Sequence, residues 1–327
     1  MTFAAAVVTI DVSAARPLVA AAEAPHADTV MDLSVGGALV ATIDFAGNWA
    51  VWRCSDLRRV AGGTIRGRVG RRVAISPDGA RIVVLTGAEG IDYQWTAAIV
   101  DTATGNASSF GGNDFRRIAW TDAGLIAMGY LGYRLYDATG RMLMDGHHRP
   151  DPGSAWMGSV ATRDGSRIYY MSQRRIAGVM VANGSALPAP DITPFARPSG
   201  NAAWAFPDFA VSDDGAMLAL GFLDEVLVWR LSDGELLARI IPTGVQIVGA
   251  AVHFVGDQLI ATFTHVMHQS GQRKTVVTYD VAARCIKDRL STGSEFHGSK
   301  GGAAGDLLVA HGVALSLVRR STIGRED

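Results

Sequence analysis

The sequence predicts an all-β chain of repeated four-stranded units, and three observations predict it. A short polar turn ending in glycine recurs at near-constant spacing. Each copy is flanked by runs of β-branched and apolar residues. Nowhere does the 3.6-residue apolar period of a helix develop. The first copy to show all this is VAISPDGARIVVL, residues 73–85. Its apolar run ends at Ser76; Pro77 presets φ for turn entry, Asp78 can bond its own backbone, and Gly79 accepts positive φ. A second run, Ile82-Val83-Val84-Leu85, follows at once, so the segment reads as a hairpin.

The same step returns as SVGG 34–37, SPDG 76–79, TDAG 121–124, TRDG 162–165 and SDDG 212–215, with weaker copies FVGD 254–257 and AAGD 303–306. Six intervals separate residues 34 and 303, a mean of about 45 residues, and a period of ~40–45 with several strands is that of propeller blades. A second hairpin follows each turn: AVWRCSDLRRV 50–60, AIVDTATGNASSF 98–110, RLYDATGRMLM 134–144, LVWRLSDGELLARI 227–240 and VTYDVAARCIKDRL 277–290, with VMVANGSALP 179–188 a degenerate copy. Four strands per repeat make one blade. The expectation is a seven-bladed β-propeller in one domain, 1–327, with blades near 27–61, 70–110, 115–145, 156–188, 204–241, 247–291 and 296–320. N-terminal strands within 4–22 are expected to share the last blade, which leaves no edge open.

The SPDG turn and the VWRLSDGEL hairpin resemble those of WD40-type (WD40/YVTN-like) seven-bladed propellers over nearly the whole chain. The family's Trp-Asp pair is eroded here. Trp52-Arg53 and Trp229-Arg230 keep the Trp, while Val100-Asp101, Tyr136-Asp137 and Tyr279-Asp280 keep the Asp. Gly146-His147 is the one Gly-His pair near the family's position, so the Asp–His–Ser/Thr–Trp network of the family is not carried onto this chain. The resemblance implies a scaffold role within a larger assembly. It specifies fold far more than function.

Composition narrows the function classes. Lys plus Arg is 30 against 31 Asp plus Glu, so no whole-molecule charge draws the chain to nucleic acid or an anionic membrane. Cys54 and Cys285 are far apart, with no His or Cys at metal-ligand spacing, which reads as two unbridged thiols in a reducing compartment. The first residues carry no Lys or Arg ahead of their apolar run, and no run approaches the ~18 apolar residues of a membrane span. A soluble, cytoplasmic protein without membrane insertion is expected.

Function is expected on the irregular loops, at the blade ends away from the tight turns. These are 145–159, 188–208 and 264–274. Loops this long in a compact repeat are usually functional or disordered, and aromatics beside Arg are favoured hot-spot residues. The candidate partner-binding residues are His147, His148, Trp156, Phe195, Arg197, Trp204, Phe206 and Arg273, although Trp204 and Phe206 could equally begin the next inner strand. A second group, Arg66, Arg68, Arg71 and Arg72, could take an anion with help from Arg116, Arg117, Arg174 and Arg175. Acids expected on that face, Glu225 among them, argue for a solvated charge mixture instead. The opposite face collects Asp78, Asp122, Asp164, Asp213, Asp214, Asp257 and Asp306, plus Asp56 and Asp233, as turn chemistry requires.

Sequence chemistry gives no catalytic residue, metal or cofactor. His265 and His268 point to opposite sides of a strand, and nothing in their spacing brings His253 and His297 together. GSEFHGSK 293–300 has the last two residues of a phosphate loop reversed and no helix after it. The expected function is a non-catalytic platform for protein partners. The alternatives are a hydrolase or lyase acting at a central channel, or a sensor of an anionic ligand.

Overall fold

The computed structural model describes residues 6–17, 20–66, 68–88, 95–111, 115–129, 132–147, 156–172, 175–192, 208–222, 225–256, 258–267, 271–292, 296–301, 307–311 and 314–318. Among them the strands form seven sheets, and a 3-10 turn at Val12–Ala14 is the one helical element. In chain order, sheet I holds Val30–Gly36, Leu39–Asp44, Asn48–Arg53 and Arg59–Thr64. Sheet II holds Val69–Ile75, Arg81–Gly87, Trp95–Asp101 and Ala107–Phe110. Sheet III holds Phe115–Thr121, Gly124–Gly129, Gly132–Tyr136 and Met142–His147, and sheet IV holds Trp156–Ala161, Arg167–Ser172, Ile176–Met180 and Ala186–Leu187. Sheet V holds Asp208–Val211, Met217–Gly221, Val226–Arg230 and Leu236–Thr243; sheet VI holds Gln246–Val255, Gln258–Met267, Gly271–Asp280 and Cys285–Thr292. Sheet VII is Phe296–Gly301, Leu307–His311 and Ala314–Val318, completed by Ala22–Pro25.

Each of sheets I–VI is an antiparallel meander, first strand to fourth. The second strands are buried almost throughout, as in RIVVLTG of sheet II. Both of their faces are covered, which is why they read as unbroken apolar runs and not as alternation. Fourth strands are wetter: RVAGGT of sheet I shows only half-buried and exposed positions. Six first strands shift register near their start, between Val30 and Asp32, Gly70 and Arg72, Phe115 and Arg117, Trp156 and Gly158, Ile247 and Gly249, and Phe296 and Gly298. A bulge at one place in six strands re-aims side chains at the same point of each repeat.

The chain divides into two compact units, Met1–Leu18 with Pro150–Glu295, and Val19–Arg149 with Phe296–Asp327. In the second, the first strands of sheets VII, I, II and III pack in that succession. Apolar layers fill the gaps. Ile43, Val51, Ile75, Ile82 and Val84 lie between sheets I and II, each at most 2% exposed, and full burial of such a side chain is worth about 1.5–3 kcal/mol. In the first unit, the first strands of sheets IV, V and VI succeed one another likewise. Approach is close there: a Cβ on Gly221 would lie 2.6 Å from the Ala250 carbonyl oxygen.

The N-terminus corrects one expectation. Within 4–22, Ala6–Asp11 adds to sheet V and Arg16–Pro17 to sheet VI, each as a fifth, parallel strand. The strand that completes sheet VII is the next one, Ala22–Pro25. Burial explains the first placement: Ile10 is fully buried among Val226, Val228 and Ile240, and Val12 follows it into the same core. Thr243 Oγ1 donates to the Ile10 carbonyl at 3.2 Å, and Thr275 Oγ1 to that of Val12 at 3.4 Å.

Candidate binding surfaces

The tight turns are built from a Ser or Thr and an Asp two residues on. Ser76 Oγ donates to Asp78 at 2.6 Å, Thr162 Oγ1 to Asp164 at 2.5 Å and Ser212 Oγ to Asp214 at 2.6 Å. The same carboxylates accept the backbone N–H of Ala80, Ser166 and Ala216 at 2.9–3.0 Å. These bonds hold all three carboxyls below the usual Asp value, the hydroxyl bond being the largest cause. Asp78, Asp164 and Asp214 therefore serve their turns, while Asp257 and Asp306 lie outside the described residues. That leaves a stiff end to sheets II, IV and V.

Of the loop-face candidates, Phe195, Arg197, Trp204, Phe206 and His148 lie outside the described residues. His147, Trp156 and Arg273 are placed by their backbone. His147 pairs with Gly132, Trp156 with Ser172 and Arg273 with His265. Each position falls at the end of its sheet away from the tight turns.

The arginine group is only partly gathered. Arg66 and Arg68 are exposed on the segment joining sheets I and II. Arg71 and Arg72 are half-buried in the first strand of sheet II. Arg71 and Arg116, both at bulges, converge on the Trp95 ring, their guanidinium carbons 6.0 and 5.0 Å from its centroid. Glu225 is no surface acid: it is 6% exposed and paired with Arg239 across sheet V.

Sequence reasoning missed a buried polar line in sheet I. Trp52 Nε1 donates to Thr42 Oγ1 at 2.8 Å, and His26 Nε2 lies 2.7 Å from the same hydroxyl. His26 Nδ1 faces Asp44 Oδ2 at 3.7 Å, and Asn48 donates to both Asp44 oxygens from its backbone and side chain at 2.8 and 2.9 Å. The Thr42 hydroxyl also donates to the Ala50 carbonyl at 3.3 Å, so the one oxygen ties Trp52 and His26 to the third strand of the sheet. Burial is the main cause that pushes the His26 pKa down, against the pull of Asp44. No Gly-His or Trp-Asp dipeptide flags these residues: His26 follows Pro25, and Arg53 follows Trp52.

Remaining chemistry is sparse. His265 is buried, with Nε2 3.2 Å from Thr275 Oγ1. Cys54 is buried and Cys285 half-buried, and neither forms a disulfide. Among the described residues no group of three or more His, Cys, Asp or Glu is placed to hold a metal ion, and no helix is long and apolar enough to cross a membrane. Comparison with protein-family models and with curated proteins finds no match to this chain.

Proposed function

We propose that this chain is a WD40-type seven-bladed propeller, with sheets I–VII as its blades, acting as a non-catalytic scaffold for protein partners. The observation that carries the reading is the Trp52–Thr42–His26–Asp44 line, a buried polar network of the kind that family uses to brace a blade. The aspartate-tied turns support it by stiffening sheets II, IV and V. A pre-formed surface loses little entropy on binding. The partner-facing surface is the set of loops at 145–159, 188–208 and 264–274, where His147, Trp156 and Arg273 stand at sheet ends.

The test is an affinity pull-down of the tagged protein beside a variant carrying Phe195→Ala, Arg197→Ala and Trp204→Ala, after circular dichroism has verified that the variant folds. A stoichiometric protein retained by the wild type and lost from the variant is expected. A partner held equally by both, or no protein held by either, overturns the assignment of this surface.

A further inference from the structure

The turn joining third strand to fourth is built alike in five sheets, and one of the five is under strain without a packing reason. In sheets II, IV and V the residue that closes it is Gly105, Gly184 or Gly234, with φ of 73, 68 and 70°. Each glycine N–H donates to the carbonyl four residues back, at 2.8–2.9 Å. A Cβ at any of the three would meet nothing within 4 Å, so the left-handed backbone and not crowding favours glycine. Sheets I and VI put Leu57 (φ 54°) and Arg284 (φ 52°) at this place, the two non-glycine residues with positive φ among those described. Leu57 is 4% exposed and packs with Leu308, Leu315 and Leu317, burial that offsets the strained backbone. Arg284 is exposed and joins no apolar cluster. An outlier of this kind is a pointer to function.

Arg284 lines a cleft of about 690 Å³ that lies wholly among sheets IV, V and VI. Arg167, Arg230 and Asp214 share its wall, and Met217 and Val281 give it an apolar side. The single carboxylate is already engaged by Ser212 Oγ and the Ala216 N–H. Arg230 is committed to Asp233 at 3.0 Å and Glu235 at 2.5 Å. The Arg167 guanidinium lies against Gly215 on the same wall. Next to Arg284, Asp280 accepts the Ala283 N–H at 2.7 Å and faces Lys287 at 3.5 Å. The wall itself holds three guanidinium groups and one carboxylate beside an apolar side, with Asp233, Glu235 and Asp280 standing outside it, and its volume is in the range of small-ligand sites, ~300–1,000 Å³.

We propose that this cleft binds an anionic group, a carboxylate or phosphate carried on an apolar body, with Arg284 as its main partner and Arg167 as the second. A guanidinium offers such an anion two parallel N–H bonds. The site is independent of the loop surface and of the scaffold reading.

The experiment is titration calorimetry of the full chain with phenyl phosphate, phenylacetate and phenol, repeated on Arg284→Gly. Glycine is native to the three sister turns, so this variant keeps the fold. Saturable binding of at least one anion is expected, and the tighter of the two identifies the anion class. Phenol should bind at least tenfold more weakly. Losing a charge-assisted pair should weaken anion binding tenfold or more in Arg284→Gly. In urea the same variant should be more stable, its unfolding constant lower by about fivefold, because the left-handed residue no longer carries a Cβ. No saturable anion binding, or equal affinity in the variant, overturns the site. A variant less stable than the wild type overturns the strain argument.

Discussion

Replacing Thr42 with valine keeps its shape and removes one oxygen, which makes it a sharp test of the polar line in sheet I. Thr42 is fully buried, so no water can take the place of its hydroxyl. Two groups lose their partner: Trp52 Nε1, now 2.8 Å from that oxygen, and His26 Nε2, at 2.7 Å. Each orphaned buried group costs about 1–3 kcal/mol, while the extra methyl returns little because the site is already packed. Thr42→Val should therefore cost about 2–5 kcal/mol, a large share of the ~5–15 kcal/mol typical of a domain. The assay is urea unfolding followed by tryptophan fluorescence, since Trp52 sits in the network itself. Val60→Thr, at an exposed position in the fourth strand of the same sheet, is the control and should change stability by less than ~0.5 kcal/mol. If Thr42→Val costs no more than the control, the line is incidental and the bracing argument fails.

Three further predictions concern other parts of the fold. His26 has its pKa lowered by burial, so the unfolded chain takes up a proton that the folded one refuses. Stability is then complete above about pH 6.5 and falls as pH drops below it, at up to ~1.4 kcal/mol per pH unit. His26→Gln should remove that slope from urea titrations between pH 7 and 5. Asp78, Asp164 and Asp214 have lowered pKa values, so their contribution is present above pH 3.8 and is lost as pH falls through the folded values. The triple Asp→Asn variant should be less stable at pH 7, and its thermal midpoint should fall less between pH 5 and 2.5. Gly221→Ala would set a Cβ 2.6 Å from the Ala250 carbonyl oxygen, a backbone atom that cannot step aside. A loss of about 1–3 kcal/mol is expected in urea, and an unchanged midpoint would mean that sheets V and VI can separate without cost.

The turn chemistry was the most legible part of the sequence, because Ser/Thr-x-Asp-Gly dictates its own hydrogen bonds wherever it occurs. Asp78, Asp164 and Asp214 do in the structure what their spacing implies. The partners of the N-terminal strands were not legible. An apolar segment such as AVVTID suits any open sheet edge, and only the buried place waiting for Ile10 beside Val226 and Ile240 decides for sheet V. The polar line in sheet I was hidden because its members stand at 26, 42, 44 and 52, outside the dipeptides that would have flagged them. For Arg284 the signal was an omission: VAARC lacks the glycine that ATG, ANG and SDG supply in the sister turns. An arginine in a polar turn passes for ordinary surface charge until its φ is known.

Sheet VII joins Ala22–Pro25 to Ala314–Val318, with Ala22 opposite Leu317. Its paired strands are far apart in the chain, while sheets I–IV each draw on one contiguous stretch. During synthesis those four can form as soon as they emerge, but Ala22–Pro25 must wait, its ladder groups unsatisfied, until Ala314–Val318 has been made. Closing so long a loop is slow, and the waiting edge is open to any other strand in the meantime. The most vulnerable interval for this sheet is therefore the one before Ala314–Val318 arrives, and strand-edge binding chaperones would protect it best then.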